Sequence, residues 1–539
     1  GGGIANQGTL TVSNSTLSGN STNGGGGGII NGGTLTVSNS TFSGNSAGFG
    51  GGIFSYAGTV TVSDSTLADN SSNSNGGGIA NQGSTLTVSN TTLSGNSATN
   101  NGGGIENSGT MTVTNSTIAD NSAAAGGGIS NGGVFGLSGG LVTLNNTIVA
   151  NNTSGGDLYL DGGTFSGSND LIGDGSDLSS FSNSLSGNPL LAPLGNYGGP
   201  LVGASGAQEA LQTMALLPGS PAIDAGSNAL IATDPATGML YATDQRGDPR
   251  VSGSSVDIGA FESQGFTITA SSGRVQSTDA NTNFANALTV TVTPNNSLEP
   301  VDGGVVTFSA PSTGASANLS ATIAVISNGS ASVTATANSS AGSYTVTATA
   351  SGVSAPATFS LTNNAGPSNF VVTDAGDYSQ QGAGDNPTDT NGGVSLRSAI
   401  AAANADAANG ISDTITFSPT LDGQTLTLTQ GQLELTADSG NISIYGGNQI
   451  TVSGNNQSGV FTIDAGAQVN ISGLTIEDGN ASAGGGIYNS GTLTVSNSTL
   501  EHNQAFGEYG GEGGGIYNAG TLMVNNSTLA DNSSGSGGG

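Results

Sequence analysis

Residues 26–45 read Gly26-Gly-Gly-Ile-Ile-Asn-Gly-Gly-Thr-Leu-Thr-Val-Ser-Asn-Ser-Thr-Phe-Ser-Gly-Asn45, and this stretch decides the fold. Its apolar residues alternate over short β-favouring runs, and Gly, Asn and Ser clusters separate the runs, which is strand-and-turn punctuation and not helical spacing. The stretch recurs. The Ile that follows each Gly run stands at positions 4, 29, 53, 79, 105 and 129, then at 487 and 516, with spacings of 24 to 29 residues. Repeats of this length mean stacked units, because one unit cannot bury its own apolar face. Three short strands per unit, pairing with the rungs above and below at about 4.8 Å, make a parallel β-helix.

Two Asn phases support the stack: Asn6, Asn31, Asn81, Asn107 and Asn131, and Asn20, Asn45, Asn70, Asn96 and Asn121. Asn accepts left-handed turn backbone, and stacked amides can hydrogen-bond along a column. The Gly-Gly-Gly-Ile run followed by Phe42-Ser-Gly-Asn45 resembles the paired motifs of the polymorphic outer-membrane protein repeats, and that resemblance implies right-handed rungs of a bacterial surface protein. Leu17 and Ile118 stand where those repeats favour Phe, and a third Gly stands where they have Ala.

Beyond the first rungs the pattern changes. Pro218-Gly-Ser-Pro-Ala-Ile-Asp-Ala-Gly226, Asp244-Gln-Arg-Gly247 and Val256-Asp-Ile-Gly-Ala-Phe-Glu262 follow one another in an order that resembles the closing block of secreted choice-of-anchor β-helix proteins. The resemblance implies a segment that hides the last unpaired rung. Alternating strands such as Leu288-Thr-Val-Thr-Val292, Val305-Val-Thr-Phe308 and Tyr344-Thr-Val-Thr-Ala348 form a sandwich pattern and resemble bacterial Ig-like spacer domains. Ser395-Leu-Arg-Ser-Ala-Ile-Ala-Ala-Ala-Asn404 has an N-cap Ser, an Ala-rich interior and a closing Gly410, so it predicts a short helix. It also resembles the segment that opens many secreted β-helices. The expected organisation is all-β with one capping helix: rungs at 1–178, a closing segment at 179–263, an Ig-like sandwich at 266–363, a cap at 368–415 and further rungs at 416–539.

Composition excludes much chemistry. The chain has 539 residues, with 4 Lys plus Arg against 35 Asp plus Glu, a net charge of −31, no Cys, no Trp and one His. All four cations are Arg, at 246, 250, 274 and 397. Schiff-base or P-loop lysines, thiol nucleophiles, disulfides and Cys/His zinc sites are therefore absent. A polyanion of this kind does not bind nucleic acid, and no run reaches the roughly 18 apolar residues of a membrane span.

Four further readings remain. His502 has no second site that would make a Ser-His-Asp triad. Asp69, Asp120 and Asp531 share a turn column with Gly19, Gly44 and Gly95, which reads as a left-handed backbone position before it reads as a carboxylate pair. Arg246 and Arg250 read as ion-pair partners of Asp224, Asp244 and Asp257, although Arg246-Gly-Asp248 also spells an integrin-type tripeptide. Asp374, Asp377, Asp385 and Asp389 offer four carboxylates over sixteen residues, the hard oxygen donors calcium takes, and Asp170, Asp174 and Asp177 form a weaker cluster.

The expected function is a non-enzymatic, extracellular structural or adhesive repeat protein on a bacterial surface. The alternative is a polysaccharide-binding passenger, or a polysaccharide lyase or hydrolase of the β-helix type. Gly1 and Gly539 both fall inside a rung. A second copy placed after Gly539 would restore the spacing, so the expected partners are copies of the chain end to end, as a covalent tandem or a filament, with surface glycans as a further partner.

Overall fold

The computed structural model describes residues 1–132, 139–235, 237–408, 410–436, 440–507 and 511–535, and divides into two compact units, Gly1–Asn363 and Asn364–Gly539. Gly539, expected to interrupt a rung, lies outside the described residues.

The first unit begins as a parallel β-helix. Its second rung runs Ile29–Asn31, Thr34–Ser38, Thr41–Ser43 and Ser46–Ala47, so this rung and the next two, with Ser71–Ser72 and Ser97–Ala98, add a two-residue strand to the three expected. Equivalent strands stack in register into a 7-stranded first face, an 8-stranded second face and an 8-stranded third face. Leu35 lies beside Leu10 and Val60, and Val37 beside Val12 and Val62. The inward Ile, Leu, Val and Phe residues of these columns form one dry core from Val12 to Phe181.

Asn20, Asn45, Asn70, Asn96 and Asn121 form a ladder of side-chain amides, with Nδ2 to Oδ1 distances of 2.9 Å from each of the first four to the next. None of these residues, nor Asn6 and its column, has a positive φ, which corrects the expectation that they supply left-handed turns. Their amides are fully engaged along the stack and with backbone carbonyls instead. Left-handed backbone falls to Asn14, Asn39, Asp64, Asn90 and Asn115, at φ 45 to 54°, and to the column Gly19, Gly44, Asp69, Gly95 and Asp120, at φ 56 to 69°.

The segment from Pro189 to Ser263 runs back along the third face, rather than only over the end of the stack as the closing-block resemblance implies. Gly203 donates its N–H to Asn14 O in the first rung, and Ala232 donates to Asn115 Oδ1. Thr92 Oγ1 meets Thr213 Oγ1 at 3.0 Å and Gln245 Oε1 at 2.6 Å. The outward column on this face, Thr16, Thr41, Thr66, Thr92 and Thr117, changes to Ile148, Leu171 and Leu185. Ile148 and Leu171 pack there against Ala215, Ile258 and Phe261 of the returning segment.

Residues 266–363 form antiparallel sheets. One has three strands, Phe266–Ser272, Leu288–Pro294 and Ser330–Val333. A second has five, among them Val305–Ser309, Gly342–Thr349 and Ala357–Asn364. Val290, Val306, Phe308, Val346 and Phe359 lie in the core that also holds the returning segment.

In the second unit the helix Leu396–Ala407 is capped by Ser395, whose side chain accepts from Ser398 N while Ser398 Oγ accepts from Ser395 N. It stops three residues before Gly410. Ala399, Ile400 and Ala403 share a core with Ile415, Leu435 and Ile442. The cap region itself supplies the first strand, Asn369–Val372, which pairs in parallel with Asp413–Phe417; Asn441–Ser453, Gln468–Glu477 and later rungs continue the sheet.

Candidate functional site

A cavity of about 390 Å³ opens between the turns of the first rungs and the returning segment, lined by Asn39, Asp64, Pro200, Asp234, Met239 and Tyr241 among others. Asp64 sits in the left-handed turn column and accepts hydrogen bonds from Asn90 Nδ2 at 2.8 Å and Tyr241 Oη at 3.1 Å. Burial pushes its carboxyl up to about 6, against the lowering effect of those two bonds. Burial and the Asp64 charge hold the Tyr241 phenol above its usual value. Met239 and Leu240 are exposed at the mouth. The arrangement offers hydroxyl, amide and carboxylate groups beside an apolar rim, which suits a neutral hydroxylated ligand. The sequence reading missed Asp64 and Tyr241. The one signal was a lone Asp in a column otherwise Asn.

The four carboxylates expected to bind calcium are placed in three different settings. Asp377 is taken by Arg397, whose Nε lies 2.6 Å from Oδ1, and Oδ2 accepts the N–H groups of Thr429 and Gln430. These bonds hold the Asp377 carboxyl below its ordinary value despite burial. Asp385 is exposed and lines a separate cavity with Asp406. Burial, then the charges of Asp413 and Asp385, raise Asp406 to about 6. Asp374 and Asp389 do come together. Asn391 donates Nδ2 to Asp374 Oδ2 at 2.7 Å and its backbone N–H to Asp389 Oδ1 at 2.9 Å. Asp389 is fully buried and its Oδ2 has no hydrogen-bond partner. Among the described residues, no group of three or more His, Asp or Glu is arranged to hold a metal ion.

In the weaker acidic cluster, Asp170 Oδ1 accepts from Thr147 N, and Asp157 and Asp174 each donate the backbone N–H to the other's carboxylate. Asp177 takes a left-handed φ of 50° before a short 3-10 turn. Asp69, Asp120 and Asp531 have φ of 56, 61 and 52°, and His502, in the matching turn of its rung, has 54°. All four serve as turn residues. Burial raises the Asp120 carboxyl.

The arginines knit the returning segment. Arg246 pairs with Asp244 at 2.9 Å, Asp248 at 3.3 Å and Glu299 at 3.3 Å, and its guanidinium lies 3.6 Å over the Phe261 ring. Its side chain is 1% exposed, so the Arg-Gly-Asp tripeptide cannot present the guanidinium to a receptor. Arg250 departs from the ion-pair expectation: it donates Nη2 to the backbone carbonyls of Asp257 and Gly259, at 3.1 and 2.7 Å, while Nε and Nη1 have no hydrogen-bond partner. The charges of Glu262, Asp244 and Asp257 surround it. Burial, with Asp257 close by, pushes the Glu262 carboxyl up.

A family model described as "right handed beta helix region" matches residues 3–172. None of the curated proteins matches the chain. Among solved structures, the chain is similar to that titled "Structure of PL6 family alginate lyase AlyGC", at 10% identity and a TM-score of 0.20, covering 96% of this chain and 58% of that one. The chain therefore spans less than two thirds of that protein's length. The in-register rungs and the family match together identify a β-helix repeat protein.

Proposed function

We propose that the chain is a non-enzymatic structural or adhesive component of an extracellular bacterial surface, with the antiparallel region at 266–363 acting as an Ig-like spacer. The observation that carries this reading is the employment of its acids. Asp69, Asp120 and Asp531 hold left-handed turns, and Asp244 and Asp377 anchor arginines. Calcium is the cation the opening loop would take, through Asp374 and Asp389, because the unpartnered Asp389 Oδ2 is a ready oxygen donor.

The second reading is a polysaccharide-binding or polysaccharide-cleaving β-helix, and the Asp64–Tyr241 cavity favours it. Incubation with neutral and acidic polysaccharides separates the two. Reducing ends or unsaturated products that disappear in Asp64→Asn would establish the second reading, and no turnover together with antibody labelling of intact cells supports the first.

A further inference from the structure

The second face carries a two-dimensional grid of threonines. Thr9 and Thr11 lie two residues apart on one strand, and both positions are Thr again in each of the next four rungs, ending at Thr110 and Thr112. The strands pair residue for residue, so the two Thr columns are continuous. Spacing is about 4.8 Å between strands and about 6.7 Å between the columns. The first column is exposed throughout, and the second is exposed or half-buried.

β-Propensity alone does not account for the uniformity. On the first face the column that points away from the rung core changes freely through the same rungs, Ala5, Ile30, Phe54, Ala80 and Glu106, and it is exposed or half-buried only as far as Phe54, with Ala80 and Glu106 buried. On the third face the outward threonines are covered and bonded by the returning segment, as at Thr66 and Thr92. On the second face nothing described covers the two columns. Among the described residues none of their ten hydroxyls has a hydrogen-bond partner within the protein, and no charged residue stands on these five strands, in a chain of net charge −31.

We propose that this face binds ice. Hexagonal ice repeats its oxygens on comparable spacings across its prism faces and carries no net charge, which matches a neutral grid of hydroxyls and methyls. A single exposed hydroxyl gains almost nothing by exchanging liquid water for a bound one. Ten on a rigid lattice can hold ordered water in register. β-Branched Thr is stiff at χ1 and the in-register sheet fixes the backbone, so little ordering remains to be done on contact. The inference stands apart from the adhesive reading, since an enzyme with this face would show it too.

The test is thermal hysteresis and uptake of fluorescently labelled full-length chain into a growing ice hemisphere. The native chain is expected to shape ice crystals and to enter the ice. Thr36→Tyr, Thr61→Tyr and Thr87→Tyr together, which keep β-favouring residues but break the plane, are expected to abolish both effects, and Ile30→Tyr on the first face to leave them intact. Circular dichroism checks folding, and Thr61→Tyr alone replaces the triple variant if the latter unfolds. A native chain excluded from ice, folded Tyr variants that still bind, or binding to crystalline cellulose without ice uptake would overturn the proposal.

Discussion

Asp64 holds a turn where the neighbouring rungs have Asn14, Asn39, Asn90 and Asn115, all with left-handed backbone. Its carboxyl is raised from 3.8 to about 6, so between those values the folded chain binds more protons than the unfolded one. Stability therefore falls as pH rises from about 4 to about 6, and the penalty persists above that window. Asp64→Asn restores the column residue and removes the titration. Melting both proteins from pH 4 to pH 7 should show the variant gaining on the native chain across this range, and parallel curves would refute the argument. A second residue-scale prediction concerns the amide ladder. Asn96 is fully buried, donates to Asn121 Oδ1 and Leu67 O, and accepts from both the backbone and the side chain of Asn70. Asn96→Ala strands those partners, at about 1–3 kcal/mol for each buried group left unpaired. Urea titration should register a clear fall in midpoint, while Thr87→Ala on the exposed side of the same rung should hardly move it.

Within a rung the glycine run is a packing device. Gly76 takes φ 68°, and a Cβ on Gly77 would lie 2.4 Å from Gly103 O in the next rung. Gly77→Ala must push rungs apart and should cost about 1–3 kcal/mol or more. The capping box on Leu396–Ala407 is a milder test: Ser395→Ala is expected to lose roughly 1 kcal/mol. These elements were legible in the sequence because the period, the Gly run and the N-cap serine are local signals. The alternation of Gly and Asp at 19, 44, 69, 95 and 120 likewise announced a left-handed turn. The course of residues 189–263 was not legible. Its bonds reach Thr and Asn side chains far away, as Tyr241 does to Asp64 across 177 positions, and no periodicity encodes which face such a segment covers. For the same reason the candidate cavity stayed hidden. The acidic loop was visible as composition, but the arginine that removes Asp377 from it belongs to the helix, twenty positions on.

At the scale of the whole molecule the balance of charge governs partners. Arg246 and Arg250 are buried, Arg397 is tied to Asp377 and only Arg274 of the four is exposed, so acidic groups dominate the surface of a chain with net charge −31. Like charge at several kT repels polyanions, so an acidic polysaccharide should not be retained at low salt, whereas an anion exchanger should hold the chain until high salt. The two units also make separate thermodynamic predictions. Residues 1–363 contain the rung core and the core shared by the returning segment with the antiparallel sheets, and 364–539 contain one core organised around the helix. Each of these cores lies within one span, so each span expressed alone should melt cooperatively. Calcium binding the folded state alone raises the melting temperature by mass action. With Asp374 and Asp389 as the donors, the rise should appear in 364–539, be absent from 1–363 and vanish in Asp389→Asn. A calcium response in the first fragment, or one that survives Asp389→Asn, would move the site elsewhere.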